Sequence, residues 1–452
     1  MRAIKALGVI LGLLAQPVAA QTTVDVPIDQ ARVIATQALL AGDTELALRI
    51  AEALLNANPN DRAALIVVAA GAPRVGQASE GRRAGSRAFA LSQTNEQRYE
   101  AARLTALAAT NEERFTLATF WLRRALIVAP NEEERARTIR DARIVTQRNP
   151  WSTGLSFSLV PSNNVNGGAT EDEDDGLDLS RDALALPGVR ATLGFSTSYR
   201  LSQTPDSQTT VGFRYQLSRV WLEDEGEPKL DSRPDDLIRN EEFATDYYEY
   251  SFDHVRALDN GVIGFNFAVG GFDFGLEPYY DFRRVGLRRS VSLTDDLSLN
   301  LSARRELQEY DNENIDEARR TTLSSSLSYR LPSGDRVTGT LSHLSSESPN
   351  PNFVFDEWSL LGSYSWAEPI GPIALSVNAG FKTADYPDYL FLFSEPGRQD
   401  DTFVYGATIV FPEIEYAGFR PGLEIRGSSS DSNFDRFTRD TFSVGFIINS
   451  AF

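Results

Sequence analysis

Apolar residues recur every three or four positions between Pro27 and Asn149, and every second position from Trp151 onward. The first period is that of a helix face and the second that of a strand, so the chain reads as a helical part followed by a strand part. The clearest strands alternate strictly. Val211, Phe213, Tyr215 and Leu217 are interleaved with Gly212, Arg214, Gln216 and Ser218. Leu297, Leu299, Leu301 and Ala303 stand against Ser298, Asn300, Ser302 and Arg304, and Leu323, Leu327 and Tyr329 against Ser324, Ser326 and Ser328. Such alternation predicts strands with one apolar face toward lipid and one polar face toward a lumen.

Counting segments of this kind predicts 14 strands, near 151–160, 190–201, 209–222, 243–255, 261–272, 279–293, 296–308, 319–331, 335–345, 357–366, 373–383, 401–411, 417–428 and 440–452. The number is even, as in single-chain bacterial barrels. Connection lengths alternate too. Leu258-Asp259-Asn260-Gly261, Thr294-Asp295-Asp296, Pro332-Ser333-Gly334-Asp335 and Pro369-Ile370-Gly371-Pro372 are short turns. Long polar stretches fall at 161–189, 223–242, 309–318, 346–356, 384–400 and 429–439, and only 273–278 is shorter than its place requires. Outer-membrane barrels put short turns in the periplasm and long loops outside, so strand 1 is expected to run outward and strand 14 inward. Trp151, Trp366 and Phe452 then fall at the periplasmic rim and Trp221 and Trp358 at the outer rim, where aromatic girdles belong. Phe452 also ends the run Phe442, Val444, Phe446, Ile448, an amphipathic last strand of the kind the barrel-assembly machinery recognises. A soluble sandwich would need neither girdles nor alternating loops.

In the helical part, Leu40-Ala41-Gly42-Asp43 followed by Ala47, Ala51, Leu54, Leu55, Pro59 and Asn60 reads as the second helix and exit turn of a tetratricopeptide repeat. The pattern returns 71 residues later, Ala47 as Ala118, Leu55 as Leu126, Pro59 as Pro130 and Asn60 as Asn131. That is two periods of about 35 residues against a repeat length of 34, with a degenerate middle repeat around Ala84 to Asn95. Packing alone explains any single alanine. The repetition predicts stacked helix pairs with a concave surface suited to an extended chain.

The first residues alter the picture of compartment. Met1-Arg2-Ala3-Ile4-Lys5, an apolar run from Ala6 to Ala15, and Val18-Ala19-Ala20 before Gln21 make a secretory signal cut after residue 20. No later segment has the roughly 18 uncharged apolar residues of a spanning helix, so any membrane span must be β. The chain has no Cys, so neither disulfides nor a lipid anchor are expected. Without Arg2 and Lys5 the 44 basic residues become 42 against 63 acidic, a net charge of −21 that makes nucleic acid an unsuitable partner.

Candidate chemistry is sparse. His254 and His343 sit in different strands without a partner at ligand spacing, and no phosphate loop, nucleophile elbow or thiol is present. No catalytic, cofactor-binding or metal residue is expected, and no enzyme. Glu171-Asp172-Glu173-Asp174-Asp175 lacks calcium-loop spacing and reads as a solvated external loop. Arg284, Arg288, Arg304 and Arg320 are candidates to line one lumen wall and guide an anionic stretch of cargo.

A periplasmic tetratricopeptide-like domain joined directly to a 14-stranded barrel resembles the surface lipoprotein assembly modulator family, also called surface lipoprotein assembly modifiers. The join carries the motifs: Asn149-Pro150-Trp151 leads into the first strand and Ser162-Asn163-Asn164-Val165-Asn166-Gly167-Gly168-Ala169 follows it, similar to the family's Asn-Pro-Trp and Asn-x-Asn segments. The expected fold is thus α + β multidomain: signal peptide at 1–20, periplasmic α-solenoid at 21–148, and antiparallel transmembrane barrel at 149–452 in the outer membrane. The resemblance implies a translocon that takes a surface lipoprotein, or a soluble haem- or metal-scavenging protein, from periplasm to cell surface. No cofactor is implied. The expected partners are that cargo, outer-membrane lipids and the barrel-assembly machinery, around a monomeric barrel. A polysaccharide export porin with a periplasmic repeat domain is the main rival, and a passive porin the second.

Overall fold

A computed structural model describes residues 26–174, 177–312, 315–390, 397–414 and 419–450, and for Asn449 and Ser450 the backbone alone. The signal segment, Asp175 and Phe452 lie outside these residues. Two compact units are present, divided after Glu112.

The first unit holds five helices, α1 (Ile28–Leu40), α2 (Thr44–Ala57), α3 (Arg62–Gly71), α4 (Ala78–Ala90) and α5 (Asn95–Asn111). Side-chain oxygens stop the fraying of three N-termini: Asp43 accepts from the Leu46 N–H, Asp61 from Ala64 and Thr94 from Gln97. The core is largely alanine. Ala35, Ala47, Ala51, Ala64, Ala69 and Ala101 are fully buried, with Leu54, Leu65 and Val68 filling the space between. Where α4 meets its neighbours even a methyl is too large: a Cβ on Gly85 would lie 2.4 Å from Thr105 Oγ1, and one on Gly81 would lie 2.7 Å from Pro73 Cδ.

The second unit begins with α6 (Phe115–Ile127) and α7 (Glu132–Arg148), the latter capped by Asn131 Oδ1 on the Glu134 N–H at 2.9 Å. The odd helices start at 28, 62, 95 and 132, intervals of 34, 33 and 37 residues, and the even ones at 44, 78 and 115, intervals of 34 and 37.

Fourteen strands then close into an antiparallel barrel, each beside its sequence neighbour. They are β1 (Trp151–Ser162), β2 (Gly188–Gln203), β3 (Ser207–Leu222), β4 (Thr245–Leu258), β5 (Gly261–Phe274), β6 (Glu277–Ser292) and β7 (Leu297–Tyr310). The other half comprises β8 (Glu317–Arg330), β9 (Arg336–Glu347), β10 (Phe355–Ser365), β11 (Ala374–Tyr386), β12 (Arg398–Val410), β13 (Phe419–Ser432) and β14 (Arg439–Ser450). The predicted count of 14 is met and each predicted strand lies on an observed one. Burial is inverted relative to a soluble protein: Leu155 and Leu360 on the outward face are 73% and 60% exposed while Gln308 on the inward face is 1% exposed. That is the arrangement hydrocarbon outside and a polar lumen inside require.

The short 273–278 connection is a two-residue turn, Gly275–Leu276, with φ of +65° and +67°. Two positive φ values are what a tight hairpin needs to match strand twist, and Gly275 takes one at no steric cost. Two other connections hold structure the alternation does not foresee, small hairpins of Glu173–Asp174 with Leu177–Asp178 and of Pro228–Leu230 with Arg233–Leu237. The acidic loop is therefore not wholly solvated. Asp174 is buried, and its Oδ2 lies 3.6 Å from Arg436 Nε, an ion pair between distant loops that the local run of charges does not disclose.

Candidate functional site in the lumen and at the barrel seam

Pairing register sets which residues share the lumen. On β8 and β9 the inward positions are hydroxyls that meet across the ladder: Ser324 with Ser342 at 2.9 Å, Ser326 with Thr340 at 2.7 Å and Ser328 with Thr338 at 3.0 Å. Ser152, Ser156 and Ser158 continue this small polar lining on β1, opposite Ser198, Gly194 and Thr192 of β2. Short side chains that hydrogen-bond to one another form a smooth hydrophilic wall without strong attachment points.

Toward the long-loop end the inward residues become larger and charged. Arg284 pairs with Glu249 and lies 3.3 Å from Glu306; Tyr247 donates to Glu249 at 2.5 Å, Gln308 to Glu306 at 2.7 Å and Tyr310 to Gln308 at 2.8 Å. Arg284 and Glu249 stand two strands apart, with Ala268 and Gly270 of β5 between them in register. All four arginines singled out in the sequence do share the inward face of β6 to β8, with Arg284 opposite Glu306, Glu306 opposite Arg320, Gly286 opposite Arg304 and Arg288 opposite Ser302. Arg284, however, is neutralised by two carboxylates. Sequence reasoning missed Glu249 and Glu306, although both have the parity of the inward face. Aromatic rings adjoin this network: Phe272 to Tyr280 at 5.4 Å, Tyr280 to Tyr310 at 5.3 Å and Phe355 to Tyr386 at 4.8 Å. Arg398 lies 4.1 Å from the Tyr386 ring, and its Nε donates to Asp400 at 2.9 Å.

The histidines are outside. His254 Nδ1 is 2.9 Å from Thr209 Oγ1, and His343 Nε2 is 3.0 Å from Asp356 with its ring 4.4 Å from Trp358. Among the described residues no three His, Asp or Glu side chains converge as metal ligands.

The closure of the barrel differs from every other strand pair. Among the described residues β1 and β14 register only at Leu159–Phe446 and Ser162–Ser443, whereas β1 and β2 pair continuously from Trp151–Tyr199 to Ser162–Gly188. Leu155 to Ser158 and Ile447 to Ser450 would face one another in that register and do not pair. The long-loop end of the seam is instead clasped by the Asn-rich segment. Asn163 Oδ1 accepts from the Phe442 N–H at 2.8 Å, Thr170 Oγ1 from Asp440 at 3.0 Å, and the Thr438 carbonyl accepts from Thr170 at 2.8 Å.

Asn164 and Asn166 build that segment. Asn164 exchanges two 2.9 Å bonds with the backbone of Gly168, and Asn166 donates to the Leu184 and Asp182 carbonyls while accepting from the Leu186 N–H at 2.9 Å. A Cβ on Gly168 would lie 2.1 Å from the Leu184 oxygen, so only glycine allows the two stretches to lie together. Val165 and Leu186 then join Ile238 and the inward ends of β3, Val220 and Leu222, in an apolar cluster. Lys229 binds the first two loops, 2.8 Å from Glu242 and 3.6 Å from Asp182; the Glu242 hydrogen bond holds its ammonium above the ordinary lysine range.

At the opposite end the Asn-Pro-Trp motif forms a fixed joint. Asn149 Oδ1 accepts from the Trp151 N–H at 3.1 Å and its Nδ2 donates to Thr116 of α6 at 3.2 Å. Arg200 of β2 donates to the Gln147 carbonyl at 2.9 Å and to that of Asn149, and the Trp151 and Tyr199 rings meet at 4.8 Å. From α6, Arg123 stacks 4.5 Å over Phe419 at the start of β13.

Residues 247–445 match the family model described as surface lipoprotein assembly modifier. The match lies in the barrel, apart from the join motifs that carried the resemblance, and bears that resemblance out. No curated protein matches the chain. Among solved structures, a bacterial polysaccharide outer membrane secretin is similar at 10% identity over 66% of this chain and 98% of that one, with a TM-score of 0.34. Acinetobacter baumannii OccAB3 is similar at 11% identity, 66% and 98% coverage and a TM-score of 0.37, and Pseudomonas aeruginosa OprD at 12%, 66% and 94%, and 0.35. The matched family and the closed barrel are those of outer-membrane transport proteins, and the chain is an outer-membrane β-barrel with a role in surface lipoprotein assembly or as an outer-membrane channel.

Proposed function

We propose that the protein is a translocon that delivers a lipoprotein from the periplasm to the cell surface. The family match over the barrel carries this reading, because it concerns 199 residues rather than a short motif. In this reading residues 1–20 are removed on secretion, residues 21–148 form a tetratricopeptide-like periplasmic domain that holds incoming cargo, and the barrel from 149 onward conducts it. Helix starts at intervals of 33 to 37 residues support the repeat assignment. The hydroxyl-lined wall supports conduction, since an extended polypeptide can exchange water for serine and threonine partners along it without being held. No residue is given a catalytic, metal or cofactor role. The driving force is folding of the cargo outside, the periplasm having no nucleotide supply; a cargo already folded in the periplasm before export would count strongly against that. Monomeric insertion by the barrel-assembly machinery completes the proposal.

One observation favours the polysaccharide rival: rings at Phe272, Tyr280 and Tyr310 on the inward face would stack on sugars. Antibody labelling of a candidate lipoprotein on intact cells of a reconstituted host, with and without this protein, separates the two. Surface exposure that depends on the protein supports the translocon. Equal exposure without it, together with failed polysaccharide secretion, replaces it with the export reading.

A further inference from the structure

We propose that the unpaired half of the β1–β14 seam is a lateral site for the acylated end of a polypeptide, its acyl chains in a lipid-facing recess and its backbone against the open strand edges. The inference rests on the translocon reading and adds the route.

Two observations converge. An apolar recess of about 590 Å³ opens on the outward face across the gap, lined by Leu155 and Phe157 of β1, Leu193 of β2, Phe419 of β13, and Phe446 and Ile448 of β14. It coincides with the stretch where Leu155 to Ser158 and Ile447 to Ser450, each paired on its other side, do not pair with one another. An open strand edge at hydrocarbon depth is costly, because water is absent there to satisfy N–H and C=O groups.

These features select the occupant. A phospholipid chain would fill the apolar space and leave the backbone groups unmet. A peptide without lipid would pair with the edge and leave the recess to bulk lipid. A lipid-bearing polypeptide end satisfies both, adding a strand to β1 by main-chain hydrogen bonds. The molecule supplies its own comparison. A second outward apolar recess of about 570 Å³, lined by Leu287, Leu301, Leu323, Leu341 and Trp358, lies over strands whose ladders are intact. It offers the same chemistry to acyl chains and none to a backbone.

The test places the photocrosslinker benzoylphenylalanine at Leu155, at Phe446 in case the first variant folds poorly, and at Leu287 as reference, each in the full chain in phospholipid nanodiscs. The probe is a biotinylated triacylated lipopeptide, with the same peptide lacking acyl chains as a second arm. Labelling by the lipopeptide several-fold above that at Leu287, lost without the acyl chains and not competed by added phospholipid, is expected. Labelling equal to that at Leu287, or competed fully by phospholipid, overturns the seam site and leaves the translocon reading standing if cargo still reaches the surface. Specific labelling in the nanodiscs, together with cargo exposure on cells that does not need the protein, would keep the seam and overturn the reading beneath it.

Discussion

Asn163 accepts a hydrogen bond from the Phe442 N–H at 2.8 Å, joining the loop that leaves β1 to the strand that closes the barrel. With so few ladder pairs between β1 and β14, side-chain bonds of this kind carry a large share of the closure. Replacing Asn163 and Thr170 by Ala together should cost about 1 kcal/mol for each lost bond. Backbone amides of Asp440 and Phe442 should exchange hydrogen faster than in the parent while those of β6 and β7 keep their rates. Unchanged exchange at Phe442 would show that the clasp is not needed.

The joint at Arg200 makes a separable prediction. Arg200→Ala removes donors from the Gln147 and Asn149 carbonyls, bonds from a charged donor worth about 1.5 to 3 kcal/mol each. The α7 C-terminus should become a site of limited proteolysis while heat modifiability of the barrel changes little. Protection equal to the parent would mean that Asn149 and its Thr116 partner hold the joint alone.

In the lumen, Arg284→Ala leaves Glu249 and Glu306 without their shared cation. Both carboxylates are largely buried, so a loss of about 3 kcal/mol is expected, read as a lower temperature for conversion of the folded band in gel electrophoresis. The barrel should also become more cation-selective in planar bilayers. A Glu249→Gln change added to it should recover part of the stability, because one uncompensated charge goes.

Packing in the first unit predicts that Gly85→Ala is harmful even though alanine is the better helix former. The new methyl meets Thr105 Oγ1, and overpacking costs about 1 to 3 kcal/mol against about 1 kcal/mol gained in helix propensity. Thermal loss of the helical circular dichroism signal of the full chain should move to lower temperature. Pairing the change with Thr105→Ala should restore most of it.

Acid should act on the turn between β8 and β9. Asp335 accepts from Tyr364 Oη at 2.6 Å, from the Ala367 N–H at 2.8 Å and from Ser333 Oγ at 2.7 Å, and these bonds, Tyr364 first, hold its carboxyl below the ordinary range. A depressed folded-state value means that this contribution is complete above the unfolded value, about 3.9, and is lost as pH falls through the folded one. Stability of the parent should therefore fall relative to Asp335→Asn as pH drops below about 4. Parallel curves for the two proteins would rule the interaction out.

Much of the fold was legible because each strand states its own face. The Val211 to Leu217 alternation needs no distant information, and apart from Gly275–Leu276 the shorter and longer connections fall at opposite ends of the strands as the sequence spacing predicts. What stayed hidden depends on residues far apart in sequence. Nothing near Arg284 points to Glu249, which reaches it two strands away, and nothing near Asp174 points to Arg436. The seam could not be read at all, since β1 and β14 each alternate well and only their mutual register shows the gap. In the helices, the return of Ala47 as Ala118 marked the second helix of each pair, but the tightest crossing lies at Gly85, where the absence of a side chain is the signal.

The two-residue turn at Gly275–Leu276 has a consequence for the mouth of the barrel. The six other connections at that end each run to six residues or more, so the rim carries least polypeptide between β5 and β6.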